Sequence, residues 1–294
     1  MKSLSFQYDR IFCSFDNQDK VFEEVAPLVR SGMDGYKICI FAYGQTGSGK
    51  TYTMEGYDAS NGIIYKSVDE IFNMSAEMKK KGWSFSFDSN VVEIYNENIK
   101  DLLSNDTRKV EVRHINDKTV LNNCSEHSIS SKEELMSLFS IARKNRSVGS
   151  TMSNEKSSRS HSVFILKVKM SNKTTKEHRE GVFNFIDLAG SERLNASKAE
   201  GERLRETQNI NKSLSVLGNV ITALVRKEQH IPFRDSKLTL LLKDHLQGNS
   251  RVLMFVNIAP EAKYHGETIC SLRFAAKISE CKLGPAQRNF YRDV

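Results

Sequence analysis

GQTGSGKT, Gly44 to Thr51, is the stretch whose reading decides the fold. It meets the pattern G-x-x-x-x-G-K-[ST] at every fixed position. The run before it, KICIFAY from Lys37 to Tyr43, is apolar and β-rich and predicts a buried strand. From Lys50 onward the chain can start a helix. Strand, glycine-rich turn and helix start together form the context of a phosphate-binding loop. Gly44, Gly47 and Gly49 let the backbone wrap so that its N–H groups face phosphate oxygens. A helix N-terminus aims partial positive charge at the same anion. Lys50 then reaches the β- and γ-phosphates, and the Thr51 hydroxyl holds Mg²⁺. The bland alternative is a chance Gly/Ser-rich turn, and the flanking strand argues against it.

The 294 residues suffice for one large α/β domain or two small ones. Neither a low-complexity linker nor an internal repeat divides them, so one domain over residues 1–294 is expected. A formal charge of +7 suits a polyanionic partner, and nucleic acid, a membrane surface and an acidic protein all qualify. The same excess can also serve solubility alone. The cysteines, Cys13, Cys39, Cys124, Cys270 and Cys281, form neither a C-x-x-C pair nor a Cys/His cluster. That favours a reduced, intracellular protein without structural zinc. No secretory signal opens the chain, and no apolar run approaches a membrane span.

Periodicity places the remaining elements. Leu4, Phe6 and Tyr8 alternate, predicting a strand over 3–8. Val21 to Val29 has helical spacing, with Pro27 expected to kink or break the helix. Helices are also expected around Val68 to Met78, from a capping box of Ser131 and Glu134, over Glu206–Arg226, over Ser236–Leu246 and over Glu267–Ser279. The last is read with Ile269, Leu272, Arg273 and Ala276 along its inner side. Strands are expected over Phe85–Tyr95, Val163–Met170, Val182–Leu188 and Arg251–Ile258, the last buried, with a small hairpin over Lys109–Asn123. This alternation predicts an α/β fold. A central mixed, largely parallel sheet carries helices on both faces, with the nucleotide at the carboxyl ends of the strands.

Two further segments have the composition of γ-phosphate sensors. Asn154 to His161, NEKSSRSH, packs short hydroxyls around one Arg just before a strand. Asp187 to Glu192, DLAGSE, closes the apolar run VFNFI with an acid where a Mg²⁺-holding carboxylate belongs. Gly190 can bring a backbone N–H against the γ-phosphate. Alone, the first reads as a Ser-rich loop and the second as a turn cap. Together, downstream of Gly44–Thr51, they are a strong signal.

In that order the three segments resemble the P-loop, switch I and switch II of a kinesin motor domain. YNENIKDLL (Tyr95 to Leu103), NINKSLSVLGNVITAL (Asn209 to Leu224), HIPFRDSKLT (His230 to Thr239), LMFVNIAP and TICSLRFAAKI support it in the expected order. Myosin and GTPase readings fit worse, because the myosin ending of the Ser-rich loop and a guanine-specifying N-K-x-D are absent. GERLRETQNINKSL and the ending ISECKLGPAQRN are similar to the fourteenth kinesin class, minus-end-directed motors with a carboxy-terminal head.

The resemblance implies ATP with Mg²⁺ on Gly44, Gln45, Thr46, Gly47, Ser48, Gly49, Lys50 and Thr51, with Tyr52 stacking near adenine. It puts Thr51 and Ser158 on the metal, Asp187 on it through water, and Ser157 and Gly190 beside the γ-phosphate and attacking water. Arg159 and Glu192 should pair as the switches close. Asn211 should latch the long helix to the site, and Lys212, Arg234 and Lys237 match positions that contact tubulin. Microtubules are thus the implied partner, with no nucleic acid or membrane. Dimerisation would use a coiled coil outside this sequence, and the location would be the cytoskeleton and mitotic spindle. The family's opening strand and its R-x-R-P segment are expected to be missing here, which would leave an unpaired sheet edge. A catalytically silent, microtubule-binding head is the competing reading, and intact nucleotide loops argue against it. An unrelated P-loop NTPase acting on nucleic acid is supported only by net charge.

Overall fold

The computed structural model describes residues 3–57, 60–104, 106, 108–115, 118–148, 157–192, 202–281 and 284–293. The strand expected over 3–8 does not form. A strand needs a neighbouring ladder. Here Leu4 and Ile11 stay exposed, and the Tyr8 hydroxyl donates to the Leu272 carbonyl instead. Helix α1 (Gln18–Met33) begins at Asn17, whose side chain accepts from the Lys20 amide. It runs through Pro27 unbroken. Burial of Val25, Val29 and Met33 on one stripe offsets the lost hydrogen bond.

β1 (Lys37–Gly44) leads into the short α2 (Lys50–Glu55). A two-residue hairpin, β2 (Gly56–Tyr57) and β3 (Ser60–Asn61), precedes α3 (Ile63–Lys79). β4 (Trp83–Tyr95) and β5 (Asn98–Asp101) are joined by a tight turn at Asn96 and Glu97, both with positive φ, as a two-residue hairpin of this hand requires. β6 (Glu111–Ile115) and β7 (Lys118–Asn122) form the expected small hairpin. After β8 (His127–Ile129), α4 (Lys132–Val148) opens on the capping box, with one change. Ser131 accepts from the Glu134 amide, but the Glu134 carboxylate reaches back to Ser130. The long hairpin β9 (His161–Asn172) and β10 (Glu177–Asp187) follows, then α5 (Glu202–Val225) and α6 (Lys237–Asp244). β11 (Ser250–Asn257), α7 (His265–Ser279) and β12 (Phe290–Arg292) end the chain.

The central sheet has the order β11-β1-β10-β9-β4-β5, with β12 paired to β10 and β8 to β4. β11, β1 and β10 are parallel neighbours, and β4 points the same way across the antiparallel β9. The sheet is therefore mixed, with most strands of its main path co-directional. Val25, Ile64, Phe139, Phe164 and Phe183 build the core against α1 to α4. Phe41, Val163, Leu217, Ile221 and Leu242 build the core against α5 to α7. Gly32 of α1 presses on β10 so closely that a Cβ there would sit 2.3 Å from the Phe183 ring. A Cβ on Gly181 would sit 2.2 Å from the Gly32 carbonyl oxygen.

Two expectations are corrected. β11 is half-exposed, not buried, because β1 is its only neighbour among the described residues. α7 turns Ser271 and Ala275 inward, with Phe274 beside them stacked on Tyr43, while Arg273 is exposed. Small residues carry no hydrophobic signal, so periodicity chose the wrong side.

Candidate functional site

The carboxyl ends of β1 and β10 lie side by side, with Ala42 opposite Asp187. That register brings the loop after β1 to the loop after β10. Gly44 has φ 151°, and a Cβ there would sit 2.1 Å from the Asn257 carbonyl oxygen, so only glycine fits. The Gln45 carbonyl then accepts from the Ser48 amide, from the Ser48 hydroxyl at 2.8 Å and from Lys50 Nζ at 2.9 Å. Lys50 is buried, and desolvation holds its pKa below the usual lysine range although Asp187 and Glu192 pull it back up. α2 has only six residues, so the loop's own N–H groups, more than a helix dipole, make this an anion cradle.

The predicted loops meet here. Thr51 Oγ1 donates to Asp187 Oδ2 at 2.7 Å. The Gly190 amide donates to the Ser158 carbonyl at 2.7 Å, and the Ser191 amide to the Gly44 carbonyl at 3.0 Å. Ser157, Ser158 and Arg159 form a single 3-10 turn at the entry to β9. Asn154 to Lys156 and the side chains of Ser157 and Asn211 lie outside the described residues. Glu192 has here another partner than the one expected on closure. Its carboxylate accepts from the Thr46 amide at 2.8 Å and hydroxyl at 2.6 Å, and its described partner is Thr46, not Arg159. The loop after β10 folds directly over Gly44, which brings Glu192 to Thr46. Tyr52 is half-exposed beside the cradle, and its carbonyl accepts from Gln18 Nε2.

Sequence reasoning missed Arg146 and Glu55. Arg146 is buried, 3.2 Å from Asp187 Oδ2 and 4.0 Å from Glu55 Oε1, and it donates to the Ser160 carbonyl. Arg143 pairs with the other Glu55 oxygen at 2.9 Å. Burial raises the Glu55 pKa, opposed by Arg146 and reinforced by Asp187. The signal was there: Leu135, Phe139, Ala142 and Arg146 occupy one stripe of α4, so the charge continues an apolar face.

Asp187 Oδ1 is buried and has no hydrogen-bond partner among the described residues. With the Thr51 hydroxyl beside it and Ser158 in the facing loop, it offers the hard oxygen donors that Mg²⁺ takes. No group of three His, Cys, Asp or Glu side chains among the described residues is placed to hold a metal. Phosphate oxygens and water would therefore supply most of a Mg²⁺ shell. Lys212 and Arg234 are exposed and Lys237 is half-buried, on α5, the Phe233–Asp235 turn and α6, which pack together. The α6 N-terminus is held by the Ser236 hydroxyl, which accepts from the Thr239 amide, and by Glu97, which accepts from the Lys237 amide at 2.9 Å.

The kinesin motor-domain family description matches residues 1–281. The chain belongs to the kinesin motor-domain family. It is 49% identical to carboxy-terminal kinesin 2 of Xenopus laevis, over 97% of this chain and 46% of that protein. It is 47% identical to kinesin-like protein KIN-14M of Arabidopsis thaliana, over 98% of this chain and 41% of that protein. The chain thus spans less than half the length of these curated relatives. Among solved structures it is similar to the motor domain of the kinesin-like protein KAR3 of Saccharomyces cerevisiae. That likeness has a TM-score of 0.83 and 49% identity, over 93% of this chain and 84% of that one. A fast kinesin matches with a TM-score of 0.90 at 35% identity, over 97% of this chain and 82% of that one. The kinesin fold expected from the sequence is borne out, and the two curated relatives named are a carboxy-terminal kinesin and a KIN-14 kinesin.

Proposed function

We propose that this chain is an ATP-driven microtubule motor head of the kinesin-14 type, directed to the minus end. The observation that carries the reading is the convergence of three separate loops on one point. Thr51 bonds Asp187, Gly190 bonds Ser158, and Glu192 bonds Thr46. A nucleoside triphosphate bound there would touch all three, so the state of its terminal phosphate would decide how the loops are arranged.

Lys50 and the amides of Gly44 to Thr51 would hold the phosphates, with Tyr52 beside the base. Thr51, Ser158 and, through water, Asp187 would hold Mg²⁺, which when bound neutralises charge on the bridging phosphate oxygens. By the family resemblance, Ser157 and Gly190 would border the γ-phosphate and the attacking water. Glu192 must leave Thr46 to reach Arg159, so closing the site exchanges one set of hydrogen bonds for an ion pair. α5 follows the Asp187–Glu192 loop in the chain and carries Lys212 toward an acidic filament. Ion pairing by Lys212, Arg234 and Lys237 predicts binding that weakens steeply with salt. Association with the microtubule cytoskeleton and spindle, and pairing through a coiled coil elsewhere in a longer protein, belong to the same proposal. One similar solved structure is the C-terminal motor and motor homology domain of Kar3Vik1 fused to a synthetic heterodimeric coiled coil.

ATPase activity with and without microtubules tests the reading, with Lys50→Ala as the inactive control. Stimulated turnover that Lys50→Ala abolishes is expected. Turnover indifferent to microtubules rejects the motor reading, and filament binding without any turnover favours a silent head. Plus-end gliding on polarity-marked filaments would overturn the proposed direction.

A further inference from the structure

His161 closes the Ser-rich segment and opens β9. Its ring is buried, 3% exposed, and faces the other two moving parts at once. The Ala189 amide donates to His161 Nδ1 at 3.0 Å. His161 Nε2 lies 2.8 Å from the Ser213 hydroxyl on α5. Since Nδ1 accepts, the neutral ring carries its proton on Nε2 and donates it to Ser213. Burial, with Arg146 and Lys50 nearby, holds the ring's pKa down at about 3, so this neutral form prevails at physiological pH.

The next amide along, that of Gly190, donates to the Ser158 carbonyl at 2.7 Å. Two successive N–H groups of the loop after β10 are thus gripped by one four-residue span, Ser158 to His161, at the entry to β9. The surroundings are dry: Ala189 and Ser160 are fully buried. An unmade hydrogen bond in such a place costs more than a made one gains, so these bonds shift together and do not break one at a time.

We propose that His161 is the positioning residue that ties the two phosphate-sensing loops to the filament-facing helix. The imidazole is a stiff plate with one nitrogen on Ala189 and the other on Ser213. When the Gly190 amide turns toward a terminal phosphate, Ala189 moves with it, the ring follows, and Ser213 drags the middle of α5. His161 touches neither phosphate nor filament. This inference rests on the motor reading above, and deepens it by naming the joint through which the site speaks to the helix.

Ser213→Ala tests it, since Ser213 lies outside the nucleotide-binding set. Basal turnover and the KM for ATP are expected to stay within about twofold, while microtubule-stimulated kcat falls about five- to tenfold, the equivalent of one lost buried hydrogen bond. Ser213→Thr, which keeps the hydroxyl, is expected to restore stimulation. Full stimulation in Ser213→Ala, or no rescue by threonine, overturns the proposal. A filament-free arm separates this from failure of the motor reading. Amide exchange across α5 is compared in the Mg·ADP and Mg·ATPγS states of wild type and Ser213→Ala. A difference between the two nucleotides that vanishes in the variant supports the link even if microtubules do nothing to wild type. The same difference in both proteins, or none in wild type, overturns it.

Discussion

Replacing Arg146 by Met leaves two carboxylates facing each other in a dry pocket. The guanidinium stands 3.2 Å from Asp187 and 4.0 Å from Glu55. At an effective dielectric constant near 20, those separations correspond to roughly 5 and 4 kcal/mol of gross attraction. Desolvating the guanidinium takes back several kcal/mol, so the net loss on breaking a buried arrangement of this kind is about 3–5 kcal/mol. Arg143, half-exposed at 2.9 Å from Glu55, still screens that carboxylate, so the lower end, about 3 kcal/mol, is expected. Met approximates the lost volume and keeps the cavity contribution small.

Urea unfolding at pH 7 measures the loss. Adding Glu55→Gln to Arg146→Met removes one of the two stranded charges and should recover about half of it. Lowering the pH should also narrow the gap to wild type. Glu55 is already pushed up by burial, losing Arg146 pushes it further, and protonation then relieves the repulsion. Coincident unfolding midpoints for wild type and Arg146→Met, or a gap that ignores both Glu55→Gln and pH, would refute the reasoning.

Glu97→Ala removes the carboxylate that caps α6 at the Lys237 amide. It should cost about 1 kcal/mol of stability and weaken microtubule co-sedimentation while sparing basal turnover, and unchanged filament affinity would sink this role for the Asn96–Glu97 turn. The acid side of the stability curve should reflect His161 and His245, held neutral by burial with pKa values of about 3 and about 4. Unfolding frees each to bind a proton below about pH 6.5, which the folded state refuses, so stability falls as pH drops. Between pH 6 and 5 the pair should cost roughly 2 kcal/mol in urea unfolding, His245→Gln should halve that slope, and an unaltered slope in the variant would count against it.

The nucleotide loops were legible because their chemistry is local. A strand, three glycines and a Lys-Thr pair need no tertiary partner to be read, and each of the later loops announces itself by a short run of small polar residues. Arg146 was missed because it sits among Arg143 and Lys144, which resemble a solvated face; only its place on the Leu135–Phe139–Ala142 stripe gives it away. The Ser213 end of the His161 contact is invisible in one dimension, since 52 residues separate the pair. Glu192 was matched to Arg159 by resemblance, whereas proximity to Thr46 depends on how the two loops stack. The strand expected over 3–8 had the right alternation but no ladder beside it.

The contact of Gly32 with Gly181 and Phe183 pins α1 to one face of the sheet. At that point neither Gly32 nor Gly181 has room for a Cβ, so α1 cannot slide over β10 there without collision. On the α5 side, longer apolar side chains such as Leu217 and Ile221 fill the gap and can re-seat in new rotamers. Under the proposed motor reading, α1 is then the fixed flank of β10, and a rearrangement at the phosphates is taken up on the flank that bears Lys212.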